Sequence, residues 1–390
     1  MTLEVGVLGY RFMGKAHANA MARLPMFFPD APDVERSVLV GRDEDALTDA
    51  ADRLGFESIA TDWADVVDDV DVFYNLGPNH VHAEPSIAAL EAGTPVFCEK
   101  PLAPTLEEAE EMAEAARNAG DGVPAGCAFN YRFVPAIRYA KELLEAGELG
   151  EIHHVRGRYL QDWLADPEAP WSWRLDAELA GSGVLGDLGA HTVDLVRFLV
   201  GSERLAGDIE RVSGHLRTFV DERPVPEENE TRPVTVDDAY SAQLEFENGA
   251  MGTLEASRFA TGHKNDHTIE IHGSKGSLRF SLERLNELEV MRVAENRGYE
   301  TILVTDEDDP YVENWWPPGH VLGWEHTFVH ENYEFLRAVS EASEPSRAGG
   351  GETADGGDEF EPSFEDGLAA QRVLAAIEES DAKREWVSLE

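Results

Sequence analysis

The sequence predicts an α/β architecture: an N-terminal Rossmann domain over residues 1–130, then an α+β domain over 131–390 built on a large, mainly antiparallel open sheet. Two observations carry this expectation. Through the first 130 residues, short apolar runs alternate with helical patterns, as in a parallel sheet whose strands are joined by crossover helices. From about residue 150 strand follows strand instead, and Asn248-Gly249 between two of them is a strong hairpin signal. At roughly 150 residues per domain, a length of 390 residues suits two domains or slightly more.

Taken in order, the strand-like runs of the first domain lie at 3–8, 37–40, 72–76, 95–98 and 123–128, each a short apolar stretch bounded by polar or turn residues. Helical patterns fill the gaps at 13–24, 44–54, 84–92 and 106–119. The last of these has both ends marked. Thr105-Leu106-Glu107-Glu108 forms a capping box, and Gly120 stands where a C-cap belongs. Beyond it come a helix at 134–146, a strand at 152–161 and a helix near 187–200 stopped by Gly201. Strands follow at 208–219, 239–247, 250–258, 267–272, 277–281, 288–293 and 301–304, and two helices at 325–341 and 364–379 close the chain. The Gly- and acid-rich stretch 348–359 reads as a disordered surface insertion.

Composition narrows the function classes. Against 32 Lys and Arg stand 77 Asp and Glu, a net charge of −45, which repels nucleic-acid phosphates and anionic membranes alike. A hydrophobic content of 42% fills real cores, so an acidic disordered chain is excluded. No apolar run approaches the ~18–20 residues that span a bilayer, and the N-terminus has neither a basic region nor an apolar signal segment. Only Cys98 and Cys127 are present, both in apolar runs, which argues against a disulfide framework or a cysteine zinc site and for buried free thiols in a cytoplasmic protein. Just six basic residues are lysines: Lys15, Lys100, Lys141, Lys264, Lys275 and Lys383. Carboxylate excess with few lysines points to a high-salt cytoplasm, where self-repulsion is screened. It also makes a lysine in an apolar context noteworthy.

Five segments carry chemistry. The first strand runs into Gly9-Tyr10-Arg11-Phe12-Met13-Gly14, a G-x-G-x-x-G dinucleotide fingerprint with Arg11 in place of its second glycine. The helix N-terminus can still receive a pyrophosphate on backbone N–H groups, with charge from Arg11; the alternative is a tight turn of some other α/β protein. The second strand ends Gly41-Arg42-Asp43. A small residue followed by Arg leaves room for, and pairs with, a 2′-phosphate, favouring NADP over NAD; alternatively Arg42 is a solvated loop charge and Asp43 reaches the ribose. Leu76-Gly77-Pro78-Asn79-His80-Val81-His82 and Glu99-Lys100-Pro101 lie at carboxyl ends of parallel strands, where α/β sheets bind ligands. Lys100 follows an apolar run, which suits an acid or base, or else a structural ion pair with Glu99. His80 and His82 alternate and have no acidic neighbour, so no metal is expected there. Asp187 and His191 are four apart in a glycine-rich helix start and share one face. They form a proton-handling pair or, more blandly, a capping Asp and a satisfied core His.

These residues together resemble the Gfo/Idh/MocA oxidoreductase family from the first strand to the last helix. The specific matches are Glu99-Lys100-Pro101, the P-N-x-x-H of Pro78 to His82, and the D-x-x-x-H of Asp187 and His191. Asn130-Tyr131-Arg132, Tyr159-Leu160-Gln161-Asp162-Trp163 and Trp173-Arg174 look most like its sugar and cyclitol dehydrogenases. The resemblance implies NADP or NAD as cofactor and Lys100, Asp187 and His191 as the catalytic set. Gly9, Arg11, Phe12, Met13, Arg42, Leu76, Pro78, Asn79, His82, Glu99 and Lys100 are then the expected cofactor contacts. Tyr131, Gln161, Trp163 and Arg174, with Asp187, His191 and His326, are the expected substrate side, where aromatic faces and hydroxyl-bonding groups suit a sugar or polyol. A substrate hydroxyl would give its proton to His191, assisted by Lys100, as the hydride on the same carbon leaves for nicotinamide. A homo-oligomer, dimer or tetramer, joined through the open sheet is also implied. Two other activities fit the fold: a nicotinamide-dependent glycosidase, and a non-enzymatic nucleotide-binding regulator, which would not need Lys100, Asp187 and His191 together.

Overall fold

The computed structural model describes residues 2–120, 122–226, 230–343 and 360–389. The expected insertion at 348–359 lies outside the described residues. The chain divides into two compact units, Met1–Asn130 with Trp324–Leu368, and Tyr131–Gly323 with Ala369–Glu390.

The first unit holds β1 (Thr2–Leu8), α1 (Phe12–Phe27), β2 (Asp33–Val40), α2 (Glu44–Leu54), β3 (Ser58–Ala60), β4 (Val72–Asn75), α3 (Ala83–Ala92), β5 (Val96–Glu99), α4 (Leu106–Ala119) and β6 (Ala125–Ala128). Its six strands pair in parallel in the order β3-β2-β1-β4-β5-β6. β4 and β5 are buried at every residue, which is why they read as unbroken apolar runs rather than as alternation. The caps explain the helix limits. Asp43 accepts from Ala46 N at 3.1 Å to open α2, Gly55 closes it in the left-handed region, and Thr105 caps α4 through Glu108 N. β3 escapes the sequence reading because three residues at a sheet edge leave no pattern to detect. Cys98 and Cys127 are register neighbours on β5 and β6, both buried and free.

A single cut at residue 130 does not describe this unit. The helix Trp324–Ser343 returns to it and packs on α1: Phe12 stacks on Trp324, Tyr333 donates to Asp30 at 2.7 Å, and Asn332 bonds His17.

The second unit contains α5 (Pro135–Glu145), β7 (Ile152–Leu160), α6 (Ala177–Ala180), α7 (Ala190–Val200), β8 (Ile209–Arg217), β9 (Glu222–Pro224), β10 (Thr231–Pro233), β11 (Ala239–Phe246), β12 (Met251–Ser257), β13 (Asp266–Gly273), β14 (Gly276–Ser281), β15 (Glu287–Arg292), β16 (Glu300–Leu303) and β17 (Val387–Ser388). Nine of these strands form one sheet in the order β16-β15-β14-β13-β7-β12-β11-β8-β17, antiparallel except for the β7–β12 pair. The Asn248-Gly249 turn joins β11 to β12 as the sequence predicts, with Gly249 at φ +83°. α5 buries Ala136, Ile137, Ala140, Leu143 and Leu144, a helical stripe facing the unit's interior. Behind α7 the buried Arg132 guanidinium grips the Asp194 carboxylate. The single helix expected near 187–200 is instead a π-helical turn, Leu185–Gly189, running into α7. Among the described residues no helix is long and apolar enough to cross a membrane.

Candidate functional site

In the first unit β1 lies between β2 and β4, so the strand order reverses beside it and a crevice opens at the carboxyl ends. The chain leaves β1 through Gly9 at φ +108°, where a Cβ would sit 2.5 Å from the Leu76 carbonyl oxygen. Gly14 lies so close under this turn that its Cβ would stand 2.2 Å from Gly9 O. Two of the three fingerprint glycines are thus demanded by geometry, and they bring the α1 N-terminus hard against the turn. Its first N–H groups, at Phe12 and Met13, lack intrahelical acceptors and suit a pyrophosphate. Arg11 takes the second glycine's place, at the exposed N-cap. The cradle therefore fits a dinucleotide.

Arg42 is exposed beyond β2, while Asp43 is committed to capping α2. Gly41 is small for another reason than phosphate access: a Cβ there would lie 2.5 Å from the Tyr10 ring. Leu76, Pro78 and Asn79 follow β4 on a loop organised by Asn75, which the sequence reading missed. This fully buried amide donates to Val81 O at 2.9 Å, His82 O at 3.0 Å and Ser86 Oγ at 3.0 Å. His82 is buried with Nδ1 3.0 Å from Pro101 O and Nε2 3.1 Å from Gly77 O, and burial lowers its pKa. Its ring latches the 77–82 loop to the Lys100-Pro101 segment. Glu99 is likewise turned inward, to His17 Nε2 at 3.2 Å and the Lys100 N–H at 3.2 Å, while Lys100 itself is partly buried. His82 and Glu99 thus shape the crevice from behind.

In the second unit the π-turn and α7 present Asp187 and buried His191. The Asp187 N–H bonds Gly183 O at 3.0 Å, so the residue lies inside the helical path and is no cap. Underwinding to about 4.4 residues per turn keeps positions four apart on one face. The turn is clasped from outside: buried Asp237 accepts from Gly183 N at 2.6 Å and Leu185 N at 2.8 Å. Fully buried Arg258 supports it by donating to Asp237 O at 2.9 Å. Tyr131 lies 4.6 Å, ring to ring, from His191, and Tyr159 lies 6.0 Å from it. The two phenols bond at 2.9 Å; Tyr159 donates to Asn265 Oδ1 at 2.7 Å, and Gln161 Nε2 to the same oxygen at 2.8 Å. His267 stacks on Tyr159 at 4.5 Å and contacts Thr192 Oγ1 at 3.2 Å. Burial pulls its imidazole pKa down to about 3. Burial chiefly, then Tyr131 and the Asp187 charge, hold Tyr159 well above the usual phenol range.

The structure therefore gathers Tyr131, Gln161, Asp187 and His191 into one cluster and adds Tyr159, Asn265 and His267. Tyr159 stood in the quoted Tyr159-to-Trp163 segment without a role, and Asn265 and His267, at and beside the start of β13, carry no local signal in the sequence. Trp163 stands more exposed beneath the Arg258 guanidinium, and exposed Arg174 folds over its neighbour Trp173 at 4.5 Å. His326 lies buried on helix Trp324–Ser343, 3.6 Å from Glu325, and so belongs to the first unit rather than to the one carrying Tyr131 and His191.

Comparison with known proteins gives both units one family. Residues 3–126 match the oxidoreductase family with NAD-binding Rossmann fold, and residues 137–279 match the Gfo/Idh/MocA C-terminal domain. Levoglucosan dehydrogenase of Pseudarthrobacter phenanthrenivorans is 40% identical, over 99% of this chain and 98% of its own. The structure of an oxidoreductase domain protein from Kribbella flavida superposes with a TM-score of 0.91 at 48% identity, covering both chains fully. Levoglucosan dehydrogenase in complex with NADH and levoglucosan superposes at 0.90 with 40% identity, again over both whole chains. The chain belongs to the Gfo/Idh/MocA family of oxidoreductases with an NAD-binding Rossmann fold.

Proposed function

We propose that this protein is an NAD(P)-dependent dehydrogenase that oxidises a hydroxyl of a sugar or cyclic polyol. The observation that carries this is the cluster of the second unit, where an Asp–His pair faces two phenols and two amides. Such a set offers donors and acceptors in alternation, which a ring bearing several hydroxyls can satisfy at once. Bound nicotinamide supplies the hydride acceptor. The His191 imidazole takes the hydroxyl proton, and Asp187 bonds the substrate and steadies the ring. Tyr131 and Gln161 orient the remaining hydroxyls. Lys100 joins the proton-handling set by its place in the Glu99-Lys100-Pro101 motif. The full-length likeness to levoglucosan dehydrogenase makes a bridged pyranose the first substrate to try. Exposed Arg42 favours NADP, and a dimer or tetramer is the expected assembly, measurable by light scattering.

The test is a screen of levoglucosan and myo-inositol with NAD and NADP in molar KCl, followed by absorbance of the reduced cofactor. Wild-type protein should reduce one cofactor, and His191→Ala should lose roughly 10²–10⁴-fold in kcat while still binding NADH. Absence of turnover with any cyclic polyol, or an undiminished His191 variant, refutes the assignment.

A further inference from the structure

Within the first unit, four residues from three elements meet behind Lys100. His17 lies on α1, Glu99 ends β5, and Phe328 and Asn332 lie one turn apart on helix Trp324–Ser343. His17 and Asn332 have no exposed surface, and Glu99 has almost none. The imidazole is walled by the rings of Tyr74, Phe97 and Phe328, with centroids at 5.7, 5.6 and 5.3 Å, all edge-on. We propose that Asn332, His17 and Glu99 form a buried clamp, with His17 locked as the neutral Nε2–H tautomer, that positions the Lys100 backbone for catalysis.

The proton assignment follows from the donors. Asn332 Nδ2 lies 2.7 Å from Phe328 O and 2.9 Å from His17 Nδ1. Reversing the amide would set its oxygen against the Phe328 carbonyl oxygen, so the nitrogen must face it. One amide hydrogen then goes to that carbonyl and the other to His17 Nδ1, which must be an acceptor without a proton. The ring proton is therefore on Nε2, where it is donated to Glu99 Oε1 at 3.2 Å. Glu99 Oε2 accepts the Lys100 N–H at 3.2 Å. Glu99 thus serves as a carboxylate acceptor at both oxygens, and the chain of donors runs from the long helix through α1 to the peptide that carries Lys100. Second-layer partners of this kind hold a functional side chain where its own rotamers would not. The proposal rests on Lys100 belonging to the proton-handling set.

Two measurements on the full-length protein test it. Histidine-selective ¹⁵N labelling, with His17 assigned by its loss in His17→Gln, reads the tautomer at pH 7.5 without any substrate. A neutral Nε2–H pattern is expected; an Nδ1–H or doubly protonated ring overturns the clamp. Kinetics then read its consequence. His17→Gln keeps a donor toward Glu99 and an acceptor toward Asn332, and should stay within about threefold of wild type in kcat. Glu99→Gln, nearly isosteric, faces one of its two donors with an amide N–H, and should lose tenfold or more in kcat. His17→Leu should lose as much, with cofactor KM within twofold of wild type. Failure of the Gln variant to rescue, or a full-rate Glu99→Gln, overturns the positioning role. Should wild-type protein turn over no polyol, the functional assignment falls while the tautomer measurement still decides the clamp.

Discussion

Gly183 offers the sharpest test of how the second unit holds Asp187 and His191, the pair proposed to handle the proton. A methyl group at this position would stand 1.9 Å from Asp237 O and 2.7 Å from the Arg258 guanidinium. Both neighbours are buried, and one is backbone, so the two segments must part by at least about an ångström. Three hydrogen bonds span that gap: Val184 N to Asp237 O at 3.0 Å, and the two N–H groups on the Asp237 carboxylate. Bonds to a charged acceptor contribute about 1.5–3 kcal/mol each, so losing both carboxylate contacts in Gly183→Ala costs roughly 3–6 kcal/mol. That is a large share of a total stability of roughly 5–15 kcal/mol, and a fall in Tm of roughly 5–15 °C is expected. The same shift moves the turn carrying Asp187 and His191, and a 1 Å misplacement lowers kcat by about 10²-fold. Differential scanning fluorimetry and steady-state kinetics measure the two effects. NADH titration by fluorescence checks that the first unit still binds cofactor. A folded Gly183→Ala protein with kcat within threefold of wild type would refute the idea that this clasp positions the pair.

Arg42→Ala should lower kcat/KM for NADP relative to NAD by roughly 5–10-fold, as one exposed charge-assisted contact is lost. Gly41 should be left intact in that comparison because of Tyr10, and an unchanged cofactor ratio means Arg42 points into solvent. With 77 carboxylates, Tm should rise from low to molar KCl; a flat or falling series removes the high-salt assignment. His267 takes up a proton in the unfolded chain near pH 6.5 but in the folded protein only near pH 3. Unfolding therefore binds protons in this window, so the stability held above pH ~6.5 declines as pH falls toward ~3. Melts from pH 7.5 to 4.5 should fall less steeply for His267→Gln, and identical slopes would show the ring is not the group responsible.

The first unit was legible because its signals are local. Alternating apolar runs, the Thr105 capping box, the Gly120 C-cap and the Gly9 turn each act through neighbours a few residues away. The Asp187–His191 spacing was legible for the same reason, since a π-turn and an α-turn both keep residues four apart on one face. The strand-rich character of the second unit and its Asn248-Gly249 hairpin belong to this class too.

What the tertiary structure decided is which side chains answer one another across long separations. Asp187 and His191 are steadied by Asp237, about fifty residues later, and nothing in the local pattern of either segment records that contact. The Glu99 carboxylate bonds His17, 82 residues earlier, a pairing that the Glu99-Lys100-Pro101 motif does not announce. Arg174 and Trp163 suited a sugar by type, yet one folds over its neighbour and the other stands more exposed under Arg258. Local sequence sets backbone propensity and the chemistry on offer. Burial and hydrogen-bond pairing depend on packing between distant segments, and they determined which of those groups hold others in place and which stand exposed.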